Sequence, residues 1–306
     1  MGAGPEGAVR WLLDGREGAC LGPLDRGLQY GDGLFETLAV GHGQPLLWGR
    51  HLARLEAGCD RLGLPRPDPE TLAEEAAALC GGVARGVLKI LLTRGEGGRG
   101  YRPPAGVRAR PRRLLALHPW PPWPGRWWRE GVRVRWCRLR LARQPALAGL
   151  KHLARLEQVL ARAEWEDPEV AEGLLLDQAG RVVEATAANL LVLSGGRLLS
   201  PALEGCGVAG VMRGLILEEA APAVGLPAAL RPLAPAELEG AEGLALCSSL
   251  AGLWPVRELD GRPVPVPPLW ARLQAWLVAQ GALPPPPAPS PAGRPAAARG
   301  PRKGGP

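Results

Sequence analysis

Four prolines within eight residues do most to constrain this chain. The run His118-Pro-Trp-Pro-Pro-Trp-Pro-Gly125 can pass neither through a helix interior nor through a central strand. Proline fixes φ and has no N–H to give to either ladder. The 306 residues are therefore expected to fold on either side of it. Residues 1–117 form a smaller N-terminal unit, 118–125 a linker and 126–282 a larger C-terminal unit. From Leu283 onward, the proline run and a basic end read as a disordered tail over 283–306.

Hydrophobic spacing fills in the two units. Val9–Leu13 before Asp14-Gly15 reads as a strand entering a hairpin, and Leu34–Val40 with Pro45–Trp48 as a second hairpin. Leu52, Leu55, Cys59 and Leu62 recur at helical spacing, which predicts a helix over Gly49–Leu62. A helix is expected over Pro69–Leu79, with proline at its first turn. Strands are expected at Val87–Thr93 and Arg113–His118. Beyond the linker come strand Val132–Leu139, helix Lys151–Trp165, and strands Gly173–Leu176, Val182–Ala185 and Leu190–Leu193. A helix from Gly210 to Val224, strands Ala245–Cys247 and Trp254–Glu258 and a helix over Leu269–Gln280 complete the pattern. Helices and strands interleave without a strict βαβ rhythm, so the fold class is α+β.

Composition narrows the function classes. No apolar run approaches the length of a membrane span, and the N-terminus has no basic-then-apolar leader. A cytoplasmic enzyme without membrane contact is expected. The formal net charge is +7, but Arg294, Arg299, Arg302 and Lys303 of the tail supply four of those charges. The remainder mixes both signs, so no nucleic-acid partner is expected. The six cysteines show no C-x-x-C pair and no histidine at zinc-ligand spacing, so neither a metal site nor a disulfide framework is expected.

Lysine is rare, at 89, 151 and 303 only, and Asn189 is the sole asparagine. Lys151, after the small-residue loop Ala146–Leu150, reads either as a solvated lysine or as a desolvated amine fit for Schiff-base chemistry. Glu184 is an acid within an apolar strand, either on a wet face or paired with a cation. Asn189 lies five residues on, where a tight turn is the plain reading. Gly207-Val-Ala-Gly-Val-Met-Arg213 sets glycines before an apolar helix, either a turn or a phosphate cradle. Arg54, one turn after His51, reads as a solvated side chain or a phosphate grip. Together these residues meet the needs of pyridoxal phosphate. An amine forms the imine, a carboxylate keeps the ring nitrogen protonated, and an arginine with backbone N–H groups holds the phosphate.

The stretch Leu24-Asp-Arg-Gly-Leu-Gln-Tyr-Gly-Asp-Gly-Leu-Phe-Glu-Thr37 resembles the N-terminal signature of the fold-type IV, or class IV, pyridoxal-phosphate enzymes. These include branched-chain aminotransferases, D-amino-acid transaminases and 4-amino-4-deoxychorismate lyases. Thr93-Arg-Gly-Glu-Gly-Gly-Arg-Gly-Tyr101, Ala148–Val159 with its Lys-His-Leu core, and Glu184–Asn189 are most similar to the lyases. Ala154 stands where lyases can carry asparagine, and Glu96 where a small residue is common. The resemblance runs from about Val9 to Arg257.

The resemblance implies a two-domain fold in which each domain is a mixed sheet with packed helices. It implies pyridoxal 5′-phosphate bound by Lys151, with Glu184 on the ring nitrogen and Asn189 beside it. Arg54, Val211, Met212 and Ser248 (or Ser249) hold the phosphate. Arg99, Tyr101 and Phe35 are expected around the substrate, and Thr37 as a proton-handling hydroxyl. A homodimer with a shared active site is implied. The expected activity is conversion of aminodeoxychorismate to 4-aminobenzoate and pyruvate, a step of folate biosynthesis. The alternative is an aminotransferase acting on branched-chain or D-amino acids.

Overall fold

A computed structural model of the chain describes residues 9–104 and 110–284. Its strands fall into two sheets. The first contains β1 (Arg10–Leu13), β2 (Arg16–Glu17), β3 (Gly33–Gly41), β4 (Gln44–Pro45), β5 (Arg85–Thr93) and β6 (Arg112–His118). Their order is β2-β1-β6-β5-β3-β4, antiparallel at every pairing. Strand side chains alternate between faces. Leu34, Leu38 and Val40 of β3 and Leu88, Ile90 and Leu92 of β5 turn one way, under α2 (Trp48–Leu62) and α3 (Pro69–Cys80). Phe35 and Thr37, paired with Leu91 and Lys89, turn the other way. A five-residue helix, α1 (Arg26–Tyr30), precedes β3.

The second sheet contains β7 (Val132–Leu141), β8 (Val170–Asp177), β9 (Val182–Ala185), β10 (Asn189–Ser194), β11 (Arg197–Pro201), β12 (Ala228–Arg231), β13 (Gly243–Ser248), β14 (Gly252–Leu259) and β15 (Arg262–Pro263). It is mixed: β7 runs parallel to both β8 and β14, and β11 parallel to β12. Leu191, Leu193, Ala245, Cys247 and Leu253 pack under the helical segments beginning at Val211 and Leu269. Leu190, Val192, Leu244, Leu246 and Val256 pack into a core flanked by Trp123 and Trp127. Burial on both faces explains the unbroken apolar run Leu190–Leu193. The helices are α4 (Gly125–Arg129), α5 (Leu156–Arg162), α6 (Val211–Leu215) running through a π-helical turn (Ile216–Ala220) into α7 (Ala221–Ala223), α8 (Pro235–Glu239) and α9 (Leu269–Ala279).

Two expectations need correction. The helix expected over Lys151–Trp165 is confined to Leu156–Arg162. Residues 151–153 are not helical because they bond to β3: the Phe35 N–H donates to Lys151 O at 2.9 Å and the Leu153 N–H to Gly33 O at 3.0 Å. The expected tail begins two residues too early, since Leu283 is buried in the core beside Gly252 and Pro284 is buried with it. Residues 285–306 of that expected tail lie outside the described residues.

One face of α2 ties the two sheets together. Arg50, Arg54 and Arg61, spaced four and seven residues apart, share that face. Arg50 reaches Glu218 at 2.9 Å and also Glu219. Arg54 Nη1 donates to Ala209 O at 2.9 Å. Arg61 donates to the carbonyls of Ala148, Ala146 and Pro145 at 2.7, 2.9 and 3.1 Å, on the loop that leads into Lys151.

Candidate active site

Lys151 lies where three segments meet. Its own loop is fastened to the Gly207–Ala209 loop by Gly149 N–H to Gly207 O at 2.8 Å and Ala209 N–H to Gly149 O at 3.0 Å. Gly149 has φ +81°, which explains a glycine there. On the other side its carbonyl is held by β3. Its Nζ stands 4.3 Å from the centre of the Phe35 ring. The amine is driven down to about 8, first by burial and then by the nearby Arg54 cation, against the pull of Glu36 and Glu184. Burial disfavours an ammonium. No helix N-terminus contributes, because Lys151 precedes the helix that begins at Leu156. The neighbouring His152 is pushed down to about 4 by burial and so adds no charge near neutrality.

Glu184 is 4% exposed, so the wet-face reading falls away. The Val208 N–H donates to its Oε2 at 2.9 Å and Asn189 Nδ2 donates to the same oxygen at 3.2 Å. No described hydrogen bond uses Oε1. Burial lifts the carboxyl to about 7 despite the Val208 N–H and the Arg155, Lys151 and Arg213 cations. Asn189 is not a turn residue, since it opens β10. Its Nδ2 also bonds Val208 O at 2.8 Å, so one amide orients both the carboxylate and the loop beside it. Gly210 follows from this: a Cβ there would come 1.9 Å from Asn189 Oδ1.

Gly210 is the N-cap of α6 and offers no side-chain bond to the first turn. Among the described residues, the backbone N–H groups of Val211 and Met212 therefore have no capping acceptor, an arrangement that suits an anion. Arg54 faces the same corner through Ala209. Its Nε donates to Glu36 Oε1 at 2.8 Å, and its Nη2 bonds Glu36 Oε2. His51 Nδ1 meets the same Oε2 at 2.6 Å, and its Nε2 lies 3.1 Å from Ser249 Oγ. A carboxylate can only accept, so neutral His51 carries its proton on Nδ1 and accepts from Ser249. The Ser249 proton is thereby committed. Ser248 Oγ instead accepts from the Ala251 N–H at 3.1 Å, which leaves its own proton free to donate.

The expected substrate residues divide. Phe35 and Thr37 sit on the face of β3 that meets Lys151. Lys89, which the sequence reading passed over despite its rarity, joins them there, its Nζ 5.4 Å from the Phe35 ring centre. Arg99 and Tyr101 lie on the loop after β5 and are exposed, Tyr101 by 84%. Among the described residues, no hydrogen bond or ring contact joins either to Lys151. A buried brace fixes their loop. Asp32 accepts from Arg26 and Arg94, each at 2.8 Å, and Arg26 donates to the carbonyls of Gly100 and Tyr101 at 3.0 Å. The Tyr101 ring also meets the Tyr30 ring in a tilted pair, with centroids 5.5 Å apart. Glu36, His51, Arg26, Asp32 and Arg155 were all missed as site residues. Their signal was present, because each is a charged or titratable residue within a quoted motif.

The donor set fits pyridoxal phosphate. A desolvated amine, a buried carboxylate with one unclaimed oxygen, an arginine and an uncapped glycine-led helix start converge on one corner between the sheets. The family profile described as amino-transferase class IV matches residues 33–259. The chain is 36% identical over 257 residues to an aminodeoxychorismate lyase of Vibrio harveyi, covering 83% of this chain and 94% of that one. The solved structure of 4-amino-4-deoxychorismate lyase from Pseudomonas aeruginosa is 54% identical, with a TM-score of 0.84 over 88% of this chain and 98% of that one. A putative branched-chain-amino-acid aminotransferase of Methanocaldococcus jannaschii is 27% identical over 246 residues, covering 79% and 83%.

Proposed function

The chain belongs to the class IV amino-transferase family, and from that premise we propose that it is an aminodeoxychorismate lyase. It splits 4-amino-4-deoxychorismate into 4-aminobenzoate and pyruvate, and so serves folate biosynthesis in the cytoplasm. Its cofactor is pyridoxal 5′-phosphate. The observation that carries the choice of lyase is the higher identity to two lyases than to the aminotransferase. The second reading, a class IV aminotransferase acting on branched-chain or D-amino acids, draws on that lower likeness.

When bound, pyridoxal phosphate supplies an electrophilic carbon for the substrate amine and a ring that takes up negative charge. Lys151 would hold its carbonyl carbon, Glu184 its ring nitrogen, and Arg54, Val211, Met212 and Ser248 its phosphate. Asn189 keeps Glu184 in place. Lys151 Nζ, with a pKa of about 8, carries both protonation states near neutral pH and suits a general base. It removes the proton from the substrate ring carbon that bears nitrogen. The carbon–oxygen bond to the enolpyruvyl group breaks, and the methylene carbon of that group gains a proton, for which the Thr37 hydroxyl, on the same face of β3 as Phe35, is the candidate. The two products together hold every atom of the substrate, so no second substrate is needed. Lys89 and Arg99 supply positive charge for a dicarboxylate, and Phe35 and Tyr101 supply ring faces.

We also propose a homodimer. Leu156, Val159 and Leu160 form a stripe on α5 and are 75, 61 and 61% exposed, immediately after the Lys151 segment. Such a stripe suits an interface with a second chain. A second chain there would also desolvate the neighbourhood of the active site.

The deciding experiment incubates the purified holoenzyme with aminodeoxychorismate. Equal amounts of 4-aminobenzoate and pyruvate are expected without consumption of any 2-oxo acid. Amino transfer from leucine or D-alanine to 2-oxoglutarate, with no pyruvate from aminodeoxychorismate, would overturn the lyase reading.

A further inference from the structure

Glu36 is an anomaly in its strand. It alternates with Leu34 and Leu38 and so faces the apolar core under α2, where it is 1% exposed. A leucine would pack there without desolvating a charge, and buried ion pairs seldom outdo apolar residues of similar volume. The carboxylate is nevertheless fully used. Both of its oxygens engage Arg54 side-on, and Oε2 also meets His51. His51 carries the connection to Ser249 at the β13–β14 turn. Arg54 carries it to Ala209, one residue before the N-cap of α6. One buried carboxylate is thus linked to both loops that border the expected phosphate site.

We propose that Glu36 is the positioning residue for Arg54 and so sets the enzyme's grip on the phosphate of its cofactor. The inference rests on reading Arg54 as the phosphate-binding arginine. A guanidinium has five N–H donors. Glu36 takes two and Ala209 O takes one, which leaves one on each terminal nitrogen. A pair of that kind grips a phosphate bidentately. The side-on fork to Glu36 fixes the guanidinium plane before any phosphate arrives, so little freedom is lost on binding. His51 holds the second lone pair of Oε2 and keeps the carboxylate from rotating out of that plane.

The test compares dissociation constants for pyridoxal phosphate and for pyridoxal, which lacks the phosphate, followed by absorbance. The proteins are the wild type, Glu36→Gln, Glu36→Asp, Glu36→Leu and Arg54→Lys. Glu36→Gln is expected to weaken pyridoxal phosphate by about tenfold or more while leaving pyridoxal unchanged, and Glu36→Asp should recover part of the loss. Glu36→Leu matches its core neighbours, so it gives the same reading if the glutamine variant fails to fold. Equal weakening of both ligands would make Glu36 merely structural and overturn the proposal. So would a Glu36 series that moves neither ligand while Arg54→Lys weakens pyridoxal phosphate alone; the phosphate role of Arg54 would survive that result. An Arg54→Lys variant with wild-type affinity for both ligands would remove the reading on which the proposal stands.

Discussion

The backbone N–H of Phe35 donates to the carbonyl of Lys151 at 2.9 Å, and the Lys151 amine turns back over the Phe35 ring at 4.3 Å. A residue of the first sheet thus holds both ends of the one lysine that the second unit brings to the site. The ring face favours the ammonium, while burial and Arg54 oppose it, and the amine settles at about 8. The site is therefore a property of the contact between the two sheets.

That balance predicts how the apoprotein captures its cofactor. Imine formation needs the neutral amine. About one-tenth of Lys151 is neutral at pH 7 and about nine-tenths at pH 9 for a pKa of about 8. The capture rate of apoprotein, followed by absorbance, should climb through pH 8 and level off above it. Borohydride reduction should then fix the label on Lys151 and not on Lys89. The lowered pKa also has a sign for stability. Between pH 8 and the unfolded lysine value of 10.5, the unfolded chain holds a proton that the folded apoprotein has lost, so this group makes stability rise with pH across that window. A capture rate flat from pH 6.5 to 9.5 would contradict the assignment.

Glu184→Gln should separate binding from turnover. The amide oxygen still accepts from Val208, so Lys151 should remain labelled by borohydride. A neutral amide cannot keep a ring nitrogen protonated, and kcat should fall by about a hundredfold or more, in line with loss of a catalytic proton-holding group. Asn189→Ala, which leaves Glu184 held by Val208 alone, should cost less, about tenfold. Steady-state kinetics at saturating cofactor check both, and near-wild-type turnover in Glu184→Gln would refute the role.

Much of this arrangement is legible in the sequence, for identifiable reasons. β9 is read to the residue because Val182–Ala185 lies between the Ala-Gly turn and the Thr186 bend. The helix over 151–165 is misread because Leu153, Leu156 and Leu160 carry helical spacing. Only the first is drawn to β3, and the others lie exposed on α5. A three-residue bridge to a strand 116 positions earlier in the chain leaves no periodic trace. Glu36 escapes for a related reason: it occupies a core position in a β pattern, and its partners lie 15 and 18 residues away on α2. Lys89 is conspicuous only when set against the shortage of lysine in the chain. Its relation to Thr37 needs the β3–β5 register.

Gly210→Ala gives a steric test of the Asn189 arrangement. The new Cβ would stand 1.9 Å from Asn189 Oδ1, so the amide must swing away and release both Glu184 and Val208. A loss of about 1–3 kcal/mol in stability is expected from overpacking, together with weaker cofactor binding. The clash vanishes when the amide is absent. In an Asn189→Gly background the same change should therefore cost far less, and a double-mutant cycle on thermal unfolding reads that coupling. Additive effects of the two substitutions would mean that Gly210 answers to some other neighbour.

Two cations of different standing are proposed to meet the substrate's carboxylates, and kinetics can tell them apart. Lys89 is half-buried, fixed by its strand to the face that carries Thr37 and Phe35. Arg99 is exposed, on a loop whose carbonyls are held by Arg26. If both contact the substrate only while it is bound, Lys89→Met and Arg99→Ala should each raise KM for aminodeoxychorismate by about tenfold or more, the loss of one charge-assisted hydrogen bond. Arg99→Lys should recover only part, because an ammonium cannot reproduce the guanidinium fork. The two should respond differently to salt. Arg99, open to solvent, should lose its advantage as ionic strength rises, whereas Lys89 is shielded by its burial and should lose less. A KM unmoved by Arg99→Ala at low salt would remove the loop after β5 from substrate binding and leave Lys89 as the carboxylate's partner.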